Sequence, residues 1–341
     1  MRLKRAKYSR AVAVGFAAAP LLIGLWPGVQ EAKSDDFELA MVIKETTNPY
    51  YNATLKGAQI AAGEIGGKAN NYGPTQSSGQ AQVDIINNLA DRHTAAIAIA
   101  PSDPNAVVPA MKRAQKLGVK VITFDADSGA DGRPFFVNQT TLDSYGKYGA
   151  KRLAEVMGKK GKVAIVSAQP TAANQNAWIA AFREGLKEYK DMEIVDEVYG
   201  YDNEQKAFDA TVALVTKYPD LGGIFAPTCP GLPAVARALE SLNKGKGAIK
   251  LAGGCVPSIT NKYMLDGTIQ VFYLWDPVKL GYVTYYAAKN FAEGKIQGKV
   301  GDSFTIKEGK WPGEYKIDST GQIITGEPFE FTPENVKDYN F

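Results

Sequence analysis

A series of short, near-continuous apolar runs, separated by segments of helical period, constrains this chain more than any other feature. The runs lie at 39–44, 95–100, 119–125, 163–168, 194–200, 223–227 and 249–253. Unbroken apolar character over so few residues marks parallel strands covered on both faces, whereas a half-exposed strand would alternate. Between them, helices are expected over 53–65, 79–92, 105–117, 145–158, 175–189, 204–217, 231–242 and 277–293. Asn48-Pro49 supplies a cap and first-turn pair for the first of these, and Asp103-Pro104 opens the third, which Gly118 ends. Strand and helix in strict alternation give an α/β chain with doubly wound parallel sheets.

The alternation repeats. Residues 97–125 and 223–253 each read strand, Ala-Pro, polar or proline-rich turn, helix, glycine, strand. Two Rossmann-like halves of related topology are one reading; a chance likeness between any two strand–helix–strand units is the other. With 341 residues there is enough chain for two sizeable cores. No low-complexity linker separates the halves, so several short crossings are expected between them.

The net charge of +3 is unevenly placed. Arg2, Lys4, Arg5, Lys7 and Arg10 against Glu31 give the first 32 residues +4, which leaves the body at −1. A basic head followed by the apolar stretch 11–26, broken by Pro20, reads as a secretory signal ending near Ala32. An uncleaved anchor is the alternative, since Gln30 suits a small-x-small cleavage pattern poorly. The destination is then the periplasm. The near-neutral body has no basic patch for nucleic acid.

Enzyme signatures fail in turn. The sequence has no GxxxxGK[ST], GxGxxG after the first strand, GxSxG or HExxH motif. His93 is the single histidine, at a solvated helix end, so neither a histidine metal site nor a second base is available. The polar residues that stand out follow the carboxyl ends of strands, where open α/β sheets bind ligands. They are Lys44, Asp125 and Asp127, Asn174 and Gln175, Pro227 and Cys229, and Trp275-Asp276. A polyhydroxylated molecule suits them: its hydroxyls want carboxylate, amide and ammonium partners, and its C–H faces want rings such as Tyr50, Tyr51, Trp178 and Trp275. Each also has a plainer role. Lys44 and Asp127 read equally as solvated loop residues, Asn174 as a helix cap, and Trp178 as core beside Phe182.

Longer stretches carry a resemblance: YGPTQSSGQAQVDIINNL at 72–89, AIAIAPSDPNAVVPAMKRA at 96–114, VITFDAD at 121–127, PTAANQNAW at 170–178, APTCPGLPA at 226–234, YLWDP at 273–277 and the closing FTPENVKDYNF. With these the chain resembles type I periplasmic solute-binding proteins, in the branch of rhamnose- and autoinducer-2-binding members. The resemblance implies two lobes joined by a three-stranded hinge. The lobes would comprise 37–141 with 273–297, and 142–272 with 298–341, after a signal peptide at 1–32. It also implies a monomer without cofactor that serves an ABC-type permease. The ligand contacts it carries over are Lys44, Asp125, Asn174, Gln175, Pro227 and Cys229, with Tyr50, Tyr51, Trp178 and Trp275 as walls and Asp276 beside them. Asparagine at 174 and cysteine at 229 depart from the autoinducer-2 members, which have aspartate and alanine there, and this favours a different sugar or sugar alcohol. Cys229 and Cys255 follow what should be neighbouring strands, so either a disulfide beside the pocket or two free thiols is expected. Autoinducer-2 reception and the effector-sensing half of a repressor remain the alternatives; the export signal speaks against the second.

Overall fold

The computed structural model describes residues 37–341. The signal segment and its expected end at Ala32 lie outside the described residues. From Phe37 the chain runs through β1 (Glu38–Val42), α1 (Pro49–Ile65), β2 (Lys68–Tyr72), α2 (Gly79–Asp91), β3 (Ala96–Ile99), α3 (Val108–Lys116), β4 (Lys120–Phe124) and β5 (Phe136–Asn138). A second run of the same kind follows. It comprises α4 (Leu142–Val156), β6 (Lys160–Ser167), α5 (Ala173–Leu186), β7 (Asp191–Tyr199), α6 (Glu204–Lys217), β8 (Leu221–Ala226), α7 (Gly231–Ser241), β9 (Lys250–Gly253), α8 (Pro257–Leu265) and β10 (Val271–Leu274). The chain ends with α9 (Pro277–Ala292), β11 (Ser303–Ile306), β12 (Gly313–Lys316), β13 (Gln322–Ile324), β14 (Phe329–Phe331) and a 3-10 turn at Val336–Asp338.

Apart from β11 and β12, which pair antiparallel with each other, the strands form two sheets of the same order, β2-β1-β3-β4-β5-β13 and β7-β6-β8-β9-β10-β14. The two halves read in the sequence are thus one topology used twice, each reversing direction beside its first strand. Pairs in the first sheet are parallel throughout, while β14 runs antiparallel to β10. The central strands are buried along their length, as helices on both faces require. Side-chain caps start several of the helices. Asn48 accepts from the Tyr50 amide, Asn203 from that of Lys206, and Asp276 from those of Val278 and Lys279. The third helix starts later than expected, at Val108, because the Asp103 carboxylate accepts from the amides of Asn105 and Ala106 and holds a separate turn first.

Three crossings join the lobes: β5 to α4, β10 to α9, and β13 to β14. Two of them lie side by side, since the Thr325 amide donates to the Asn138 carbonyl at 2.9 Å and its hydroxyl to that of Gln139 at 3.2 Å. The expected lobe boundaries change at the third crossing. Residues 298–324 stay with the first lobe instead of the second: β13 pairs with β5, and the Lys310 amide donates to Glu64 on α1. A strand as short as Gln322–Ile324 carries too little pattern to reveal its sheet. Tyr273 and Leu274, expected in the first lobe, close the second sheet by pairing with β14.

The α9 helix leaves the second sheet yet belongs to the first lobe, where it meets α1 without intervening side chains. A Cβ on Gly57 would stand 1.8 Å from the Val278 carbonyl oxygen, and one on Gly281 1.7 Å from that of Thr54. Gly281→Ala must therefore push two backbones apart, at a cost of about 2 kcal/mol that outweighs the better helix propensity of alanine. The expected result is a lower urea midpoint; an unchanged or raised midpoint would show that this contact has slack.

Candidate functional site

The two sheets turn the carboxyl ends of their strands toward each other across a cleft. The loop after β1 places Lys44 there, 5% exposed, with its ammonium donating to the Asn174 carboxamide oxygen on α5 at 3.0 Å. This bond spans the lobes. A second bridge lies beside it, where Gln169 and Thr171 donate to the Ser102 carbonyl at 2.8 and 3.2 Å. Gln82 fixes the first-lobe side of that bridge by bonding the carbonyls of Ile43 and Ala100 and the Ser102 amide.

Asp125 follows β4 directly and is 4% exposed. Its φ of 61° is left-handed, a conformation that costs a non-glycine residue about 1–2 kcal/mol. Bonds from its amide to Val137 and from Gln139 to its carbonyl hold it so. The carboxylate accepts from the Tyr51 hydroxyl at 3.0 Å. Burial raises its pKa and Asp202 raises it further, while the Lys44 ammonium and the hydroxyls of Tyr50 and Tyr51 oppose the rise. Backbone strain spent on a buried, charged side chain is the mark of a functional position.

One wall of the cleft is aromatic. The Trp178 and Trp275 rings lie 5.2 Å apart, with Tyr145 4.7 and 5.2 Å from them, and the Trp275 indole donates to the Tyr50 hydroxyl at 2.9 Å. The Trp178 indole N–H and the Gln175 carboxamide oxygen are buried and find no partner among the described residues. Gln175 uses its amide on the Pro227 carbonyl at 3.3 Å. Cys229 and Cys255 are joined in a disulfide that ties the loops after β8 and β9.

These groups surround a pocket in the cleft between the lobes. Lys44, Tyr50, Tyr51, Asp125, Asn174, Gln175, Trp178, Pro227, Cys229 and Trp275, singled out from the sequence, all line it. Asp276 does not; its carboxylate is used in capping α9. Asp127 also turns away, to Arg133 and the Thr123 hydroxyl. The sequence reading missed Asn48, Thr228 and above all Asp202, which line the same space. Asp202 follows β7, has a φ of 52°, and accepts from the Thr228 hydroxyl at 2.5 Å. The strand-end rule that found Asp125 applies equally to it.

Two α/β lobes of one topology, bridged across a buried cleft lined by amides, carboxylates, an ammonium and rings, define a two-lobed solute-binding protein. A family model described as "Periplasmic binding protein domain" matches residues 39–296, and the chain belongs to that family. Its fold matches that of an ABC transporter solute-binding protein from Clostridium phytofermentas, solved with bound L-rhamnose. Identity is 30%, over 89% of this chain and 98% of that one, with a TM-score of 0.84. A sugar ABC transporter structure from Actinomyces odontolyticus is 37% identical over 90% of this chain and 98% of its own, with a TM-score of 0.70. The D-allose-binding periplasmic protein of Escherichia coli is 24% identical over 265 residues, 75% of this chain and 80% of that protein.

Beside Lys44, Glu45 is buried and its pKa is pushed up to about 8, first by desolvation and then by Asp202, against the Ser77 amide and Lys44. A raised folded pKa stabilises at low pH, and that contribution is lost as pH climbs from the ordinary carboxylate range through about 8. Glu45→Gln should therefore match the parent in melting temperature at pH 5. By pH 8.5 it should exceed the parent by several kcal/mol in stability. A difference that does not grow with pH would place the charge elsewhere.

Proposed function

We propose that this chain is an exported, periplasmic protein that captures a small polyhydroxylated ligand, a monosaccharide or sugar alcohol, between its lobes. It then presents the closed complex to the membrane permease of an ABC importer. The observation that carries this reading is the cleft itself, where hydrogen-bonding groups of both signs stand opposite a wall of rings. Asp125 and Asp202 accept from ligand hydroxyls, Lys44 donates, and Asn174 and Gln175 do both. Trp178 and Trp275 cover the C–H faces, and the idle Trp178 N–H and Gln175 oxygen gain hydroxyl partners. Relatives whose solved structures hold L-rhamnose or D-arabinose support the same ligand class.

The protein performs no chemistry on the ligand in this reading and works as a monomer without a cofactor. Capture depends on closure, since Lys44 and Asn174 come from opposite lobes and a ligand bonded to either lobe favours their approach. The neutral carboxamide of Asn174 favours a neutral sugar hydroxyl as partner. Autoinducer-2 belongs in the test as a competing ligand.

A thermal-shift screen of ligand-free protein against pentoses, deoxyhexoses, hexoses, sugar alcohols and autoinducer-2 tests this. A ligand at a hundred times its dissociation constant should stabilise by about 2.7 kcal/mol. Asp125→Ala should weaken the hit by about 10- to 100-fold, the worth of a charge-assisted bond. A folded, ligand-free protein that responds to none of these compounds would overturn the reading.

A further inference from the structure

A second, larger space lies beside the inner cavity. Asp202 lines both. The outer walls again come from both lobes: Glu45, Pro49 and Gln76 from the first, Tyr201, Asn203 and Gln205 from the second. Amides and carboxyls beside one tyrosine ring give it a chemistry like that of the inner cavity, with none of the inner side chains reused except Asp202.

Two observations mark this space as more than a funnel to solvent. Tyr201 is 47% exposed, and its backbone is left-handed, φ 56°, immediately before the left-handed Asp202. A 2.7 Å bond from its amide to the Ala168 carbonyl pins it there, and the Lys206 ammonium sits 5.1 Å above its ring. An exposed aromatic ring is thereby held on the wall of the outer space, with Lys206 over one of its faces. Opposite, Glu45 is 3% exposed, yet its Oε1 finds no partner among the described residues. That oxygen has lost water and gained nothing in the unliganded protein.

We propose that the outer space is a second subsite that takes a further ring, so that the ligand is a disaccharide or ring-bearing glycoside whose inner sugar fills the deeper cavity. Tyr201 stacks on the outer ring, and the Glu45 carboxyl bonds one of its hydroxyls. The inference rests on the sugar-binding reading above and extends it to the size of the ligand.

Titration calorimetry of the signal-free chain separates the two. The probes are L-rhamnose, D-arabinose and D-ribose, their methyl and phenyl glycosides, and disaccharides containing them. The expected result is that a phenyl glycoside or disaccharide binds about tenfold tighter than both its free sugar and its methyl glycoside. Tyr201→Ala should remove that increment and leave the free sugar within about twofold, and Gln76→Ala, on the other lobe, should reduce it. Free sugars that bind while ring-bearing derivatives are excluded, or gain nothing, overturn the outer subsite and leave the sugar reading standing. An increment that survives both substitutions overturns it as well. Failure of every sugar in every form overturns both readings.

Discussion

An ammonium taken out of water is the constraint around which the cleft is arranged. Lys44 is buried between the lobes, where Asn174 of the opposite lobe accepts from it at 3.0 Å and Asp125 of its own lobe faces it. A buried cation without compensation would cost several kcal/mol, so this residue by itself makes separated lobes and joined lobes unequal in energy. The carboxylates around it follow from the same requirement. Asp125 is tolerated at depth because Lys44 and two tyrosine hydroxyls face it, and Asp202 because Thr228 does. Each charge is held by neighbours that a ligand hydroxyl can share or replace.

The fold was legible where burial imposes a pattern. Strands covered on both faces cannot hide polar residues, so β3, β4 and β8 show as apolar runs, and α6 falls at Glu204–Lys217 as its helical period indicates. What escaped were elements too short to carry a period. The β13 strand has three residues, and its place beside β5 depends on a backbone edge that no side chain announces. Most of the site was legible for a related reason: loops at the carboxyl ends of parallel strands converge whatever their sequence, so position along the chain implies position in the cleft. The errors at Asp276 and Asp202 show where that rule stops. Both are strand-end carboxylates, and only the amides around Asp276 decide that it serves a helix while Asp202 serves the cavity.

The duplication is imperfect in a telling way. Both lobes use the same strand order, but the last strand runs parallel in the first sheet and antiparallel in the second. The reversal lets one chain finish both sheets: β13 completes the first, and the third crossing brings β14 back alongside β10. On the cleft side of the second lobe, the Cys229–Cys255 bond fixes two neighbouring loops to each other and helps to keep Pro227 and Gly254 where the cavity needs them.

The backbone contact between α1 and α9 has a mechanical consequence. Because Gly57 and Gly281 leave no clearance, the two helices cannot slide, and the first lobe turns with α9 as one rigid arm. Any rotation at the second crossing is then taken up between Leu274 and Pro277, which puts Trp275 close to the fulcrum. A group near a fulcrum travels little for a given angle. In a rotation about that crossing, the indole would keep nearly the same grip on whatever lies against it.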